Sequence, residues 1–202
     1  MVFDYSWLIG GPQGSGVDTA ANIFSRVGTK LGYHVFGKRE YHSNIKGLHS
    51  YFVVRLSDNK IRSNVNGANI MVAFDAETMI RHGLDILKDG AIIYDSSIVN
   101  TSIDEIPTIE ADHRVRLAEF FKSKNMEPKV SSIIELAKES GVNVYPISFW
   151  DALSNIADEL KRPELSRMTR MFNVLGVSFS LGVLKAPIAP LLESIEEIFS
   201  TK

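Results

Sequence analysis

A glycine-rich segment near the N-terminus constrains the fold of this 202-residue chain more than any other feature. Residues 5–9 are apolar and run directly into residues 10–16, which read GGPQGSG, and apolar residues then recur at helical spacing over residues 17–31. This order predicts a strand, a glycine loop and a helix that ends near Gly32. An extended segment at residues 35–41 follows, which is typical of the opening of an α/β domain.

The remaining pattern continues as strands and helices along the chain. Further strands are predicted at residues 50–56, 61–65, 70–74, 91–94 and 142–147, and helices at residues 76–87, 113–122, 131–140, 149–160, 164–175 and 191–199. In the last helix Leu192, Ile195, Ile198 and Phe199 form the expected apolar stripe, and Ser131 and Ser132 are expected to cap the helix that they precede.

Two hairpin signals, near residues 44–49 and 58–60, predict antiparallel strand pairs within this α/β pattern. The expected fold is therefore α/β: a three-layer, Rossmann-like domain with a mixed central sheet and a helical C-terminal segment. We expect one domain over residues 1–202, with an α/β core at about 1–148 and a helical part at about 149–202 packed on it.

Composition excludes several classes of function. The chain carries 22 Lys and Arg against 24 Asp and Glu, so it has no broad positive field for nucleic acid or anionic lipid. It has no cysteine, which excludes disulfides, Cys-based zinc sites, a thiol nucleophile and Cys-ligated iron–sulfur clusters. No apolar run reaches the length of about 18 residues that a membrane span needs, and Asp4 stands where a secretory signal carries Lys or Arg, so we expect a cytoplasmic protein with no membrane partner.

The glycine loop by itself leaves two interpretations open. A helix that begins at such a loop presents free backbone N–H groups and a positive dipole end, which bind phosphate or carboxylate. However, the spacing Gly11-x-x-Gly14-x-Gly16 reverses the dinucleotide fingerprint, and no P-loop lysine follows. Asp18 in the first helical turn also competes for the dipole. The segment is either a tight crossover or an anion site.

Three segments in order give a resemblance to a known family. They are GGPQGSGVDTAA at residues 10–21, VFGKREYHSNIKGLHSYFVVRLSD at residues 35–58 and FDAET at residues 74–78. Together they resemble the gamma domain that opens the fused gamma–alpha subunit of archaeal-type 2-oxoacid:ferredoxin oxidoreductases, within the pyruvate/ketoisovalerate oxidoreductase gamma family. The close resemblance covers roughly residues 7–97, and NVLG at residues 173–176 is similar to the end of that domain.

The resemblance implies a part in oxidative decarboxylation of a 2-oxoacid with coenzyme A. The products are an acyl-CoA, carbon dioxide and reduced ferredoxin, and thiamine diphosphate and iron–sulfur clusters carry the chemistry. Residues 88–90 read KDG and lack the first glycine of a thiamine motif, and there is no cysteine for clusters. We therefore expect these cofactors only in partner alpha and thiamine-binding beta parts, contact with ferredoxin only through them, and no catalytic residue or metal ligand in this chain. Its expected role is assembly and coenzyme A access.

The expected site joins the glycine loop to a second loop. Coenzyme A is a possible ligand that is not expected to bind firmly. Its phosphates are expected to contact one rim, formed by Gly11, Gln13, Gly14, Ser15, Gly16, Asn44, Lys46 and His49. This geometry follows if the strand before the second loop pairs with the first strand.

Two alternatives belong to other classes. In a free-standing NAD(P)-binding dehydrogenase domain, Lys38 and Arg39 after the second strand would hold a 2′-phosphate. In a ligand-free assembly module the glycine loop would bind nothing. Arg55, inside a β-rich strand, is expected to be paired or to lie at an interface, because Arg is seldom buried without a partner.

Overall fold

The fold contains one six-stranded sheet in the part of the chain that the computed structural model describes, residues 3–41, 49–168 and 171–200. The strand order is β2-β3-β1-β4-β5-β6. The strands are β1 (Asp4–Pro12), β2 (His34–Tyr41), β3 (His49–Ser57), β4 (Ala68–Ala73), β5 (Ile86–Asp95) and β6 (Asn143–Ile147).

Seven α-helices lie within the same described ranges: α1 (Val17–Lys30), α2 (Ala76–His82), α3 (Ala111–Ser123), α4 (Val130–Glu139), α5 (Phe149–Glu159), α6 (Phe172–Val183) and α7 (Ala189–Phe199). Short 3₁₀ turns occupy Gly83–Asp85, Ser96–Ile98, Ile103–Glu105 and Pro163–Arg167. None of the described helices combines the length and the apolar character that crossing a lipid bilayer would require.

The sheet is mixed, as the sequence predicts. Strands β1, β4, β5 and β6 run parallel, whereas β3 is antiparallel to both β1 and β2. In this register Pro12 at the end of β1 lies opposite His49 at the start of β3. The carboxyl ends of the parallel strands therefore share one rim with the amino end of β3.

Helices cover both faces of the sheet and give the expected three layers. On one face α1, α6 and α7 bury Trp7, whose ring stacks on Phe24 at 4.3 Å between centroids and whose Nε1 donates to Ser180 Oγ at 2.9 Å. On the other face α2 and α4 pack on Leu8 and Met71. This alternation along β1 and β4 follows from the period of two in a strand, since successive side chains point to opposite faces.

The predicted hairpin at residues 58–60 is wrong, because residues 61–65 form no strand. This segment instead crosses irregularly to β4, which pairs with β1 on its other side. Arg55 fixes the crossing by donating to Asp4 Oδ1 at 2.7 Å and to the Ser63 carbonyl at 2.9 Å. The expected pairing of Arg55 is confirmed.

Several predicted helix boundaries are also wrong. The helix at 76–87 ends at His82, and β5 begins four residues later at Ile86. The helix predicted at 164–175 is a 3₁₀ turn, and α6 begins only at Phe172. Propensity alone does not separate such helices from the turns that tertiary packing imposes.

Two finer helix assignments need correction. Lys129 occupies the N-cap of α4, so Ser131 and Ser132 lie inside its first turn and do not cap it. The predicted stripe on α7 is only partly right: Ile195 and Ile198 pack against the core, but Leu192 and Phe199 are exposed. Leu191 and Ser194 are buried in their place. A helix–helix contact with α1 sets that rotation, and its outer edge carries ion pairs from Arg26 and Lys30 to Glu197.

Candidate functional site

The glycine loop lies at a topological switch point of the sheet. Strands β1 and β4 are parallel neighbours, but β1 leads into α1 on one face and β4 leads into α2 on the other. The two connections therefore diverge and leave a crevice beyond the carboxyl ends of β1 and β4. Open α/β sheets bind ligands in crevices of this type.

The loop itself exposes backbone donors at the start of α1. Gly14 and Gly16 have φ values of 97° and 89°, in the left-handed region that favours glycine. Ser15 N donates to the Pro12 carbonyl at 2.9 Å and closes the turn that also contains half-buried Gln13. Gly16 caps α1 without a side chain, so no capping side chain takes the first amides of the helix. These amides are suited to a phosphate or a carboxylate.

Two further glycines let the strand ends approach one another. A Cβ at Gly10 would lie 2.6 Å from Thr78 of α2, and a Cβ at Gly11 would lie 3.3 Å from Phe74 and 2.8 Å from Ser15 Oγ. Side chains larger than hydrogen at these positions would force α2 or the loop outward. The close approach of β1 to α2 and to Phe74 therefore depends on both glycines.

Asn173 is a member of this site that the sequence reasoning did not assign. It is 3% exposed at the start of α6 and packs against Gly16 so closely that any Cβ there would overlap its amide. Asn173 Oδ1 and Ser15 Oγ are both buried without a hydrogen-bond partner among the described residues. The NVLG segment that contains Asn173 contributed to the family resemblance but did not indicate a contact with the glycine loop. A Cβ added to Gly176 of that segment would lie 3.2 Å from the Phe74 ring.

His49 brings a second group of side chains to the same rim. It is 2% exposed, lies opposite Pro12, and its Nε2 is 3.1 Å from Nε2 of His82. In a hydrogen bond between these nitrogens one ring donates and the other accepts. Two imidazolium rings, which only donate, cannot form it. Tyr51 packs on His82 with 4.3 Å between ring centroids.

The second loop reaches this rim by a route that differs from the expected one. Strand β2, before that loop, pairs with β3 and not with β1, because β3 lies between them. The assumption that β2 pairs with β1 is therefore wrong, although His49 after the loop does adjoin the end of β1. Asn44 and Lys46 lie outside the described residues, and their placement stays a prediction.

The acidic residues of α2 are engaged in structural contacts. Asp75 caps α2 by accepting from Thr78 N at 2.8 Å and from Thr78 Oγ1 at 2.6 Å. Loss of water around the Asp75 carboxyl raises its pKa, and the bonds from Thr78 oppose that effect. Buried Glu77 accepts from Arg81 Nε at 2.7 Å and from Thr108 Oγ1.

His49, Asp75 and Glu77 offer ligand atoms within 4.8 Å of one another, which is close enough for a metal ion. The carboxylates already accept the hydrogen bonds just described, and the Arg81 guanidinium stands against Glu77. A cation would have to displace these donors and lie beside a fixed positive charge. The cluster gives no support to a metal site.

Comparison with known proteins decides the family. The model for pyruvate ferredoxin/flavodoxin oxidoreductase matches residues 6–202. The chain belongs to this oxidoreductase family. The alpha subunit of 2-oxoacid:ferredoxin oxidoreductase 1 from Sulfurisphaera tokodaii is 39% identical over 96% of the chain, and that of oxidoreductase 2 from Aeropyrum pernix is 34% identical over 98%. The chain spans only 30% and 31% of the length of these relatives.

Solved structures of the oxidoreductase family share the fold. The gamma subunit of a keto/oxoacid ferredoxin oxidoreductase from Geobacter sulfurreducens matches with a TM-score of 0.62 at 12% identity, covering 96% of this chain and 85% of its own. A 2-oxoglutarate:ferredoxin oxidoreductase from Magnetococcus marinus, solved with 2-oxoglutarate, coenzyme A and succinyl-CoA bound, matches with a TM-score of 0.51 at 19% identity, covering 96% and 30%. These matches show a shared fold, and the family model and the relatives above confirm the resemblance to 2-oxoacid:ferredoxin oxidoreductases.

The oxidoreductase fold gives no support to the dehydrogenase alternative. Lys38 and Arg39 lie in β2, which β3 separates from β1 in the sheet, although the Arg39 side chain reaches the first turn of α1. Lys38 pairs with Glu40 at 2.5 Å, and Arg39 pairs with Asp18 at 3.0 Å. The second pair partly neutralises the carboxylate that competes for the α1 dipole, which favours an anion at the loop.

Proposed function

We propose that this chain serves as the gamma-type domain of a 2-oxoacid:ferredoxin oxidoreductase. The reaction converts a 2-oxoacid, coenzyme A and two oxidised ferredoxins into an acyl-CoA, carbon dioxide, a proton and two reduced ferredoxins. The observation that carries this proposal is an uncapped, glycine-built helix start at the switch point of a chain of this family. Such a site binds a cofactor's phosphates and needs no reactive side chain.

The reacting groups would belong to the alpha and thiamine-binding beta parts, which we propose as partners. A chain without cysteine cannot ligate an ordinary iron–sulfur cluster, and no thiamine motif is present. We propose that residues 1–202 form one cytoplasmic domain whose part in the reaction is docking and coenzyme A access, with contact to ferredoxin only through the partner parts.

The proposed coenzyme A contacts are the backbone and side chains of Gly11, Gln13, Gly14, Ser15 and Gly16, joined by Asn44, Lys46 and His49. The position of His49 opposite Pro12 supports a shared rim. Asn173 joins this set, because its amide lies on Gly16 and its oxygen has no described partner. Buried amides left without partners cost free energy, so a ligand that pairs with them gains affinity.

Steady-state kinetics of the assembled enzyme test this assignment. Lys46→Ala should raise the KM for coenzyme A by about tenfold with little change in the KM for the 2-oxoacid, since a phosphate contact remote from the thiol supplies uniform binding. Lys60→Ala, an exposed lysine in the 58–67 loop, is the matched control and should change neither constant. An unaltered coenzyme A dependence in the Lys46 variant would reject the assignment.

The isolated chain should be inactive. Purified and free of other subunits, it should reduce neither ferredoxin nor a viologen dye with any 2-oxoacid and coenzyme A. Titration calorimetry with coenzyme A and with NADP(H) separates the proposal from its alternatives. Coenzyme A binding favours the proposal, NADP(H) binding favours the dehydrogenase, and heat from neither favours the assembly module.

A further inference from the structure

A groove of about 500 Å³ opens on the face of β2 and β3 that α1 does not cover. Its lining includes Leu8 and Val53 of the sheet, the segment at residues 62–68, His82 at the end of α2 and Asp85 in the 3₁₀ turn that follows. Cavities of this volume hold small organic ligands. The residues of the glycine loop do not line it, so any ligand here is held by a separate set of contacts.

Two aromatic side chains, Phe36 and Tyr51, line the groove. The register places Phe36 opposite Arg55 and Tyr51 opposite Glu40, so the backbone positions of the two aromatic residues are four residues apart along the strand pair. At about 3.3 Å per residue this separation is about 13 Å. The space suits a planar ring with a sugar, in contact with an aromatic face and the apolar lining.

Asn64 supplies a hydrogen-bonding amide to this space. It lines the groove and is half-buried, and its Oδ1 is enclosed without a hydrogen-bond partner among the described residues. A ligand that donates to this oxygen would remove the free-energy cost of leaving it unpaired. An asparagine amide accepts from N6 of adenine and donates to N7 at the same time, whereas guanine offers acceptors at both positions.

The charges around the groove favour an anionic end on the ligand. Arg62 lines the groove, is exposed and makes no ion pair with any described residue. Lys38 also lines the groove but pairs with Glu40, and Asp85 lies 3.9 Å from Nδ1 of His82. Arg62 is therefore the cation available to a phosphate.

We propose that this groove binds an adenine nucleotide, with the base on Asn64 and the phosphate on Arg62. The same chemistry has two sources: a free adenosine phosphate, or the nucleotide end of coenzyme A reaching down from the rim at His49 and Tyr51. The second source rests on the proposed function, and the first does not.

Titration calorimetry on the full 202-residue chain tests the proposal, with 5′-AMP, GMP, adenosine and inorganic phosphate as probes. AMP should bind at least tenfold more tightly than GMP, and phosphate more weakly than either. Asn64→Ala should weaken AMP binding about tenfold, and Arg62→Ala should weaken AMP but not adenosine. The matched controls Asn100→Ala and Arg167→Ala, both exposed, should bind AMP as the parent does.

Equal affinity for AMP and GMP, or AMP binding that Asn64→Ala leaves unchanged, overturns the proposal. Asn64→Asp provides a second variant of nearly the same shape, which cannot donate to N7 and should also lose AMP. Near-ultraviolet circular dichroism of both variants reports whether they fold. An unfolded Asn64→Ala chain leaves the decision to the aspartate variant.

Coenzyme A as a further probe distinguishes the two sources. If Asn64→Ala weakens coenzyme A and AMP alike, the groove holds the nucleotide end of coenzyme A. If it weakens AMP alone, the ligand is a free nucleotide. Lys46→Ala should leave AMP binding unchanged in either case, so a failure of the coenzyme A assignment in the kinetic test does not alter the AMP result.

Discussion

The crevice at the switch point and the groove on β2 and β3 are built from different parts of the chain. The crevice depends on backbone: Gly14 and Gly16 take positive φ, and Gly10 and Gly11 permit contacts that a Cβ would block. The groove depends on side chains, with Asn64 and the aromatic rings set on strands and an irregular segment. A backbone site should be sensitive to small substitutions that change shape, and a side-chain site to the loss of particular polar groups.

Among the substitutions that test this comparison, Gly16→Ala should cause the largest loss of folding stability. The new Cβ would need a left-handed conformation that costs about 1–2 kcal/mol and would overlap the Asn173 amide, so we expect about 3 kcal/mol or more of lost stability. Urea unfolding measures it. Gly14→Ala is the control, since its φ of 97° is equally unfavourable but its Cβ would meet nothing within 4 Å. Equal losses in the two variants would show that Asn173 does not restrain the loop.

Asn173→Ala should have a smaller effect, and it should lower affinity at the crevice without changing affinity in the groove. Removing its amide takes away one polar contact from the crevice, which is worth about 1 kcal/mol or roughly a fivefold loss in coenzyme A affinity. Binding of AMP in the groove should not change. Calorimetry with both ligands measures the separation, and a parallel loss of AMP affinity would mean that the two regions act as one site.

Asp75→Asn should alter how the free energy of unfolding of the chain depends on pH. Because burial raises the Asp75 pKa above 3.8, the folded chain binds this proton more tightly than the unfolded chain. The free energy of unfolding therefore falls as pH rises from about 3.8 through the folded-state pKa, by at most about 1.4 kcal/mol per pH unit for one proton. Asparagine keeps an N-cap acceptor and should remove this slope. Urea unfolding between pH 4 and pH 8 compares the two proteins, and identical slopes would contradict the assignment.

Gly182→Ala should have the smallest effect on stability, and it should stabilise the fold. Gly182 lies in α6, away from both regions, and a Cβ there would meet nothing within 4 Å. Alanine in a helix is favoured over glycine by about 0.5–1 kcal/mol, so the thermal midpoint should rise by a few degrees. Binding of coenzyme A and AMP should match the parent. A lower midpoint would indicate that this end of α6 is not helical in solution.

The sequence predicted the crevice better than the groove for a local reason. Glycine spacing between an apolar strand and a helix reports backbone geometry directly, and the FDAET segment reports the N-cap of α2 at Asp75. Asn173 is about 160 residues from the loop that it contacts, so no local pattern could place it there. The groove needs β2, β3 and residues 62–68 together, and the wrong hairpin at 58–60 concealed the last of these.

By itself, the sequence determined the α/β class, the mixed sheet, the glycine loop and the family resemblance, because each depends on short-range periodicity or on motifs read in order. Only the tertiary structure decided that β3 lies between β1 and β2, that His49 adjoins Pro12, and that Asn173 lies on Gly16. Strand order and the partners of a loop are set by long-range packing of apolar faces. That packing is a property of the whole chain, and no segment carries it alone.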